Sequence, residues 1–251
     1  MVFIINADDC GKTAKVNEHI ETAILKGRIT STTIMANMDD FEGAVKLYKA
    51  YKDGISFGWH INLTEGEPLL YSQLLIDYGY YKEIDSKVVF NGKEFWSKIL
   101  PKKIKAEIRK ELRAQYEKLS DYGIEISHAD SHQHIHTSPS MLTIIPSVLN
   151  EFKVNKVRGI RNYLPFSIGY VERELWRIYY KQRIRHSVMT EIFCSFKNYI
   201  DNPGLRDDHS IELMCHPGHE GDFYQTEEKL LMSEISPLGD RVQLMNYRDL
   251  K

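Results

Sequence analysis

The sequence has little of what marks secreted, membrane or nucleic-acid-binding proteins. Its 251 residues include three scattered cysteines, Cys10, Cys194 and Cys215, which predict free thiols in a reducing cytoplasm rather than a disulfide framework. No run approaches the roughly 18 apolar residues that cross a bilayer, and the first ten residues lack a signal peptide's basic start and long apolar stretch. Lys and Arg number 33 against 35 Asp and Glu, so a net charge of −2 gives no overall attraction to nucleic acid. We therefore expect a cytoplasmic protein that binds neither nucleic acid nor membranes.

What is present is the composition and alternation of an α/β protein. Hydrophobic residues make up 42% and charged residues 27%, which is typical of a globular domain with a sizeable core. Two consecutive strand–helix–strand units within 2–63 imply parallel strands joined by right-handed crossovers. We interpret residues 1–251 as one α/β domain, either an open sheet or a barrel. In both, catalytic residues collect at the carboxyl ends of the strands.

The apolar patterns predict the individual elements. The predicted strands are 2–5, 29–36, 55–63, 125–130, 157–160 and 211–215. The predicted helices are 13–27, 41–51, 104–122, 141–152, 172–182 and 226–234, the last capped by Thr226. Residues 64–101 lack clear periodicity, and we interpret them as an elaborated loop region over the active face.

Histidines concentrate in the segment SHADSHQHIH. If this segment stays extended, His128, Asp130, His132, His134 and His136 share one face. Four imidazoles and a carboxylate could hardly be buried together without a metal or a full set of hydrogen bonds. A solvated surface loop is the alternative, but imidazole and carboxylate ligands favour a metal site. We expect His136 to support the site or bind substrate rather than ligate directly.

Two adjacent aspartates, Asp8 and Asp9, follow the first predicted strand. Neighbouring residues on a regular strand point to opposite faces, so both reach one site only where the strand ends, and Gly11 marks such an end. One carboxylate can then hold a metal while the other takes a proton from water. A helix N-cap is the alternative for such a pair.

Single histidines mark two further strands. His60 lies within the predicted strand 55–63, where a hydrogen-bonded core histidine is the alternative to a ligand. His216 directly follows the strand 211–215, and its His-Pro-Gly turn could be purely structural. Because both positions are at or near the end of a predicted strand, they join the aspartates as candidates for one site.

Taken in order, five motifs resemble the YdjC-like carbohydrate deacetylases, which include the chitooligosaccharide deacetylases. The resemblance covers about residues 2–238, and the Asp-Asp and DSHxHxH motifs carry most of its specificity. The motifs are INADD at 5–9, TSTT at 30–33, GWHINLT at 58–64, DSHQHIH at 130–136 and ELMCHPG at 212–218.

This resemblance implies a fold, a reaction and a set of site residues. The fold would be a distorted or incomplete (β/α) barrel similar to polysaccharide deacetylases. The reaction would remove an N-acetyl group from an acetylated mono- or oligosaccharide, and family members suggest a homodimer. The metal would be held by Asp9, His60 and His132. Asp8 would act as the base that takes a proton from water, and His216 as the acid that protonates the leaving amine.

Some features leave alternatives open. Asp with two imidazoles suits Zn²⁺, Mn²⁺ or Co²⁺, whereas Mg²⁺ is the metal that the resemblance implies. Cys10 stands where the family usually has an aromatic residue, so we expect an altered pocket wall or an oxidisable thiol beside the metal. A metal-dependent phosphoesterase or other amidohydrolase, and a non-catalytic protein that binds metal or sugar, remain alternative functions. The exact sugar, phosphorylated or not, is open.

Overall fold

Parallel strands form the central sheet of the protein. The computed structural model describes residues 2–202, 204–205, 210–233 and 243–251. Within these ranges the strands are β1 (Val2–Cys10), β2 (Ser31–Ile34), β3 (Ser56–Ile61), β4 (Tyr81–Ile84), β5 (Lys87–Phe90), β6 (Ala129–Ser131), β7 (Ile192–Ser195), β8 (Ser210–Cys215) and β9 (Gln243–Leu244). The main sheet runs β6-β3-β2-β1-β8-β7, and β9 pairs in parallel with the beginning of β1. Strands β4 and β5 lie outside it, as an antiparallel hairpin.

Helices surround this sheet. Within the described residues they are α1 (Ala14–Leu25), α2 (Phe41–Tyr51), α3 (Gln73–Tyr78), α4 (Lys102–Asp121), α5 (Ile145–Glu151), α6 (Ile168–Arg183), α7 (Phe196–Asp201) and α8 (Asp222–Met232). The apolar face of α1, for example, packs on β1: Val16, Ile20 and Ala23 are buried at helical spacing, and Thr13 caps the first turn. None of the helices in these ranges combines the length and apolar character that crossing a bilayer requires.

The sheet is a half-barrel rather than a closed one. Its strand order ends at β6 on one side and β7 on the other, and these two strands are not paired to each other within the described residues. Isolated bridges from Ala129 to Val157 and from Lys156 to Val188 extend the β6 edge without forming a regular strand. The expected α/β fold, an incomplete (β/α) barrel, is therefore confirmed.

Several elements differ from the sequence expectations. Residues 157–160 form one bridge instead of a strand, and β7 and α7 were not predicted. The region 64–101 is not a plain loop, because it contains α3, the β4–β5 hairpin and a 3₁₀ turn. The final predicted helix begins four residues earlier than expected, after Gly221, and Thr226 lies inside it; its predicted end at residue 234 falls outside the described residues.

Candidate metal centre and active site

A distortion within β1 brings the two adjacent aspartates into one pocket. Asp9 has a positive φ of 68°, and the β1–β2 register shifts between Ala7 and Cys10. Asp tolerates this left-handed conformation better than most residues, and the shift breaks the alternation of side chains. Asp8 and Asp9 both line the same pocket. We expected both aspartates to reach one site only where the strand ends. That expectation was wrong, because β1 continues past the irregularity to Cys10.

Asp9 lies at the centre of a buried histidine cluster. Its Oδ1 is 2.8 Å from Nε2 of His60 and 2.8 Å from Nδ1 of His132. His60 lies on β3 and His132 directly follows β6, so two strands on the same side of β1 supply the imidazoles. The carboxyl ends of three parallel strands therefore bring together the three residues that the sequence nominated as metal ligands.

Each of these histidines has a second carboxylate on its other ring nitrogen. Nδ1 of His60 lies 2.7 Å from Asp130, a buried residue that also accepts a hydrogen bond from Thr33. Nε2 of His132 lies 2.6 Å from Oε2 of Glu65. The hydrogen bond from His132, assisted by that from Lys12, lowers the pKa of Glu65 to about 2. Both imidazoles are thus oriented from outside the cluster.

The donor set fits a divalent cation. One ligand atom each from Asp9, His60 and His132 lie within 4.8 Å of one another. Nε2 of His60 is buried without a hydrogen-bond partner although it faces the Asp9 carboxylate, as expected of a nitrogen that presents its lone pair to a cation. Burial opposes a charged imidazole, yet Asp130 and Asp9 raise the pKa of His60 to about 10, so the carboxylates favour positive charge here.

A second trio of donors, Asp8, His60 and Asp130, also has its ligand atoms within 4.8 Å of one another, but both of its carboxylates are already paired with an arginine. Arg158 donates to both oxygens of Asp8, at 2.6 and 2.7 Å, and lies 2.8 Å from Asp130. A cation placed there would be repelled by the guanidinium. The geometry therefore favours the trio built around Asp9.

Arg158 organises a buried charge network on the Asp8 side. Burial alone would raise the pKa of Asp8, but the charge and hydrogen bonds of Arg158 hold it below its usual range. Nε of the same guanidinium donates to Glu212 at 2.7 Å, and Tyr247 donates to the other Glu212 oxygen. Burial raises the pKa of Glu212 to about 7. Asp8 is consequently ionised, fixed in orientation and separate from the Asp9 trio.

His216 lies beside Asp8, directly after β8. Its Nε2 is 3.9 Å from Asp8 Oδ2, and its Nδ1 is 3.5 Å from Glu227 of α8, which also accepts from the His216 backbone N–H. Burial opposes the charged ring, but Glu227 and Asp8 raise the pKa of His216. His219, a residue not singled out from the sequence, lies 3.1 Å from Asp9 Oδ2.

Of the other histidines in the SHADSHQHIH segment, His134 lines the same pocket as His132, whereas His128 and His136 do not. Strand β6 ends at Ser131, and the following 3₁₀ turn has positive φ at Gln133 and His134. His128 is buried below the pocket, stacked on Tyr247 at 3.7 Å between ring centroids. His136 is buried and bonds Ser131, which agrees with a supporting role. The expected single face was wrong because the segment does not stay extended.

Close packing explains one glycine of the third motif. A Cβ at Gly58 would lie 2.5 Å from the His128 ring, so only glycine allows β3 to approach that imidazole.

Cys10 also differs from expectation. It does not line the pocket, its Sγ faces Asn17 within the core, and burial raises its pKa to about 12.

The pocket above the cluster has a volume of about 340 Å³, enough for a small ligand. Its lining includes Arg161, Ser195, Phe223 and Tyr224, together with Asp8, Asp9 and the histidines of the site. An aromatic wall next to convergent polar groups suits a sugar ring.

Sequence reasoning missed Arg158, Glu65 and Glu227 at this site. Arg158 and Glu65 are far along the chain from the residues they contact, and none of the three lies in a recognisable spacing pattern. For Glu65, the available signal was its place one residue after the GWHINLT motif. For Glu227, it was a carboxylate in the helix that follows the HPGH turn.

Relatives of known description match nearly the whole chain. A "Carbohydrate deacetylase" of Vibrio cholerae is 31% identical over all of this chain and 94% of its own length. That of Geobacillus stearothermophilus is 29% identical over 98% of this chain and 96% of its own length. That of Clostridium beijerinckii is 31% identical over 87% of this chain and 82% of its own length.

A solved structure and a family model complete the comparison. The structure, from Enterococcus faecalis and described as a candidate cellobiose-phosphate cleavage protein, superposes with a TM-score of 0.72 at 20% identity, covering 98% of this chain and 97% of its own. That similarity supports the fold. The model of the YdjC-like protein family matches residues 2–241. The chain therefore belongs to the YdjC-like family.

Proposed function

We propose that this protein is a metal-dependent hydrolase that removes N-acetyl groups from acetylated sugars or chitooligosaccharides. The observation that carries the proposal is one pocket that holds the Asp9–His60–His132 cluster with Asp8 and His216 beside it. Membership of the YdjC-like family and the similarity to carbohydrate deacetylases of other bacteria support carbohydrate deacetylation.

Asp9, His60 and His132 would hold a divalent cation. When bound, the cation would supply Lewis acidity and ease the ionisation of water at the site. The ligand set suits Zn²⁺, Mn²⁺ or Co²⁺, and the family resemblance implies Mg²⁺. Because the donors include two imidazoles, we expect zinc or cobalt to bind more tightly than magnesium, whichever metal gives the higher turnover.

Asp8 is the proposed general base. It accepts the proton of the attacking water while the water oxygen forms a bond to the acetamide carbonyl carbon. Arg158 and Asn6 hold its carboxylate in place through three hydrogen bonds. A carboxylate with a lowered pKa is a weak base, so Asp8 needs water that is already acidified, which ties its activity to the neighbouring cation.

His216 is the proposed general acid. In the tetrahedral intermediate the amine nitrogen leaves as the C–N bond breaks, and it takes a proton from His216 Nε2. Glu227 holds the opposite edge of the ring and its backbone, and the raised pKa of His216 favours the protonated form that the step requires. The products are acetate and a free amino sugar.

Acetate release from N,N′-diacetylchitobiose tests the proposal. Metal-stripped protein is assayed alone and with Mg²⁺, Zn²⁺, Mn²⁺ or Co²⁺ added back, and phosphate release from a generic phosphoester is measured in parallel. We expect acetate only with metal. Phosphate release without acetate would favour a phosphoesterase, and metal-dependent sugar binding without turnover on a panel of acetylated sugars would favour a binding protein.

We also propose that the chain forms a homodimer, as the resemblance implies. An exposed apolar strip along α6 supports a second copy as its partner, with Ile168, Leu175 and Ile178 exposed by 89, 63 and 47%. Sedimentation analysis of Leu175→Glu should show monomers. Leu25→Glu, at an equally exposed but isolated leucine on α1, should leave the dimer intact.

A further inference from the structure

A carboxylate at the pocket wall contacts one of the candidate metal ligands from outside. We propose that Glu65 is a positioning residue for the metal centre, because it holds the proton of His132 on Nε2 and leaves the Nδ1 lone pair directed at Asp9. The inference rests on the proposed metal site. It concerns a residue outside the ligand trio and outside the catalytic pair.

The two histidines of the cluster use opposite ring nitrogens. Nε2 of His60 and Nδ1 of His132 each lie 2.8 Å from the same oxygen of Asp9. A neutral imidazole has one N–H and one lone pair, so a nitrogen that binds a cation requires the proton on the other nitrogen. That other nitrogen faces Asp130 in His60 and Glu65 in His132. Each ligand thus has its own carboxylate to fix the tautomer.

The two carboxylates have different surroundings. Asp130 is buried and held by Thr33 and Arg158, whereas the Glu65 side chain is 38% exposed and its other partner is Lys12, at 2.9 Å. An exposed ion pair between flexible side chains contributes little by itself. The role of Glu65 therefore depends on whether the fold fixes its position.

The backbone of Glu65 is anchored in the core. Asn62, which is fully buried, accepts from the Glu65 N–H at 3.2 Å and donates to its carbonyl at 2.7 Å. Gln115 of α4 in turn bonds both the N–H and the carbonyl of Asn62, at 3.2 and 2.7 Å. A buried polar chain from α4 thus places the Glu65 carboxylate against His132.

The contact also joins three loops at the carboxyl edge of the sheet. Lys12 follows β1, Glu65 follows β3 and His132 follows β6, and their side chains form one chain of charged hydrogen bonds. Without Glu65, Nε2 of His132 would face the open pocket and the proton could move to Nδ1, the nitrogen nearest Asp9. Loss of such an outer partner typically weakens metal binding by about 10- to 100-fold.

Metal affinity measured on full-length, metal-stripped protein tests the inference. Zn²⁺ dissociation constants are measured by competition with a chromophoric chelator for wild type, Glu65→Ala and Glu65→Gln. Absorption spectra are recorded for the Co²⁺ forms. Glu67→Gln is the matched control, because Glu67 lies in the same loop but is exposed and forms an ion pair with Lys87 rather than with a histidine of the cluster.

We expect Glu65→Ala to bind Zn²⁺ about 10- to 100-fold more weakly than wild type and to change the Co²⁺ spectrum. Glu65→Gln, whose amide oxygen can still accept from Nε2, should lie between, and Glu67→Gln should match wild type. Equal affinities for Glu65→Ala and wild type would overturn the inference and leave the proposed function intact. The inference would also be overturned if Glu65→Ala bound Zn²⁺ more weakly but its Co²⁺ spectrum matched that of wild type. Wild-type protein that binds neither Zn²⁺ nor Co²⁺ would instead overturn the metal site itself.

Discussion

Replacing Asp8 by asparagine separates the proposed base from the proposed metal ligand. The two carboxylates are adjacent in sequence, yet Asp8 contacts Arg158 and Asn6 whereas Asp9 contacts the histidines. Asparagine keeps the shape of Asp8 but removes its charge and half of its acceptor capacity. The NH₂ group of the new asparagine would face the guanidinium of Arg158, and both groups can only donate hydrogen bonds.

The contacts set the size of the expected effects. A positioned general base contributes about 10²- to 10⁴-fold, so kcat should fall by that factor. Breaking a buried ion pair by removing one partner costs about 3–5 kcal/mol, and we expect the free energy of unfolding to fall by a comparable amount. The metal affinity should change little, because Asp9, His60 and His132 remain.

Three measurements and one control check this prediction. Acetate release gives kcat, denaturant unfolding gives stability, and elemental analysis gives bound metal. Glu212→Gln touches the same guanidinium but lies away from the pocket, so it should retain most of the turnover. Loss of the metal from Asp8→Asn, or turnover near the wild-type rate, would refute the separation of roles between Asp8 and Asp9.

Further predictions concern pH, metal and substrate charge. Burial raises the folded-state pKa of Glu212 from 4.5 to about 7, so the folded protein binds the Glu212 proton more tightly than the unfolded chain does. The stability that this proton contributes is present below pH 4.5 and is lost as the pH rises to 7, by at most about 1.4 kcal/mol per pH unit. Glu212→Gln should flatten that slope when the free energy of unfolding is measured by denaturant titration. Chelation should abolish acetate release and lower the unfolding temperature, and both should recover on adding metal back; an unchanged melting curve would count against a resident ion. Arg161 lines the pocket and has no carboxylate partner among the described residues, so its charge is available to a substrate phosphate. Arg161→Gln should therefore lower kcat/KM about 10- to 100-fold for a phosphorylated acetyl sugar and much less for a neutral one. Equal losses on the two sugars would contradict a role for Arg161 in binding phosphate.

Local patterns predicted the fold best where the elements are regular. The helix over 41–51 agrees with α2 at both ends, and α4 begins and ends within two residues of its predicted bounds. The apolar runs of β1, β3 and β8 also located their strands, because buried parallel strands are continuously hydrophobic. Prediction failed over 64–101, where short elements gain their stability from contacts distant in sequence, such as Glu111 of α4 with the backbone of Leu69 and Leu70.

The candidate site was predictable at its histidines and aspartates but not in its geometry. Strand ends and the family resemblance nominated Asp8, Asp9, His60, His132 and His216, and the fold brings all five to one pocket. The irregularity in β1 that brings Asp9 to the histidines could not be predicted from the sequence, because no spacing of residue types indicates that an aspartate will adopt a positive φ. The turn at Gln133 and His134 likewise changed which histidines face the cluster.

The difference between two adjacent aspartates depends on a residue about 150 positions away. Both Asp8 and Asp9 lie within reach of His60, and both belong to a compact trio that could hold a cation. Arg158 breaks this symmetry, since its guanidinium pairs with Asp8 and Asp130 and places a fixed positive charge on that side. A cation would therefore be favoured beside Asp9, whose neighbours are the imidazoles of His60, His132 and His219. The same charge keeps Asp8 ionised and available to accept a proton. One buried arginine thus favours both proposed roles, and no local sequence pattern could have supplied it.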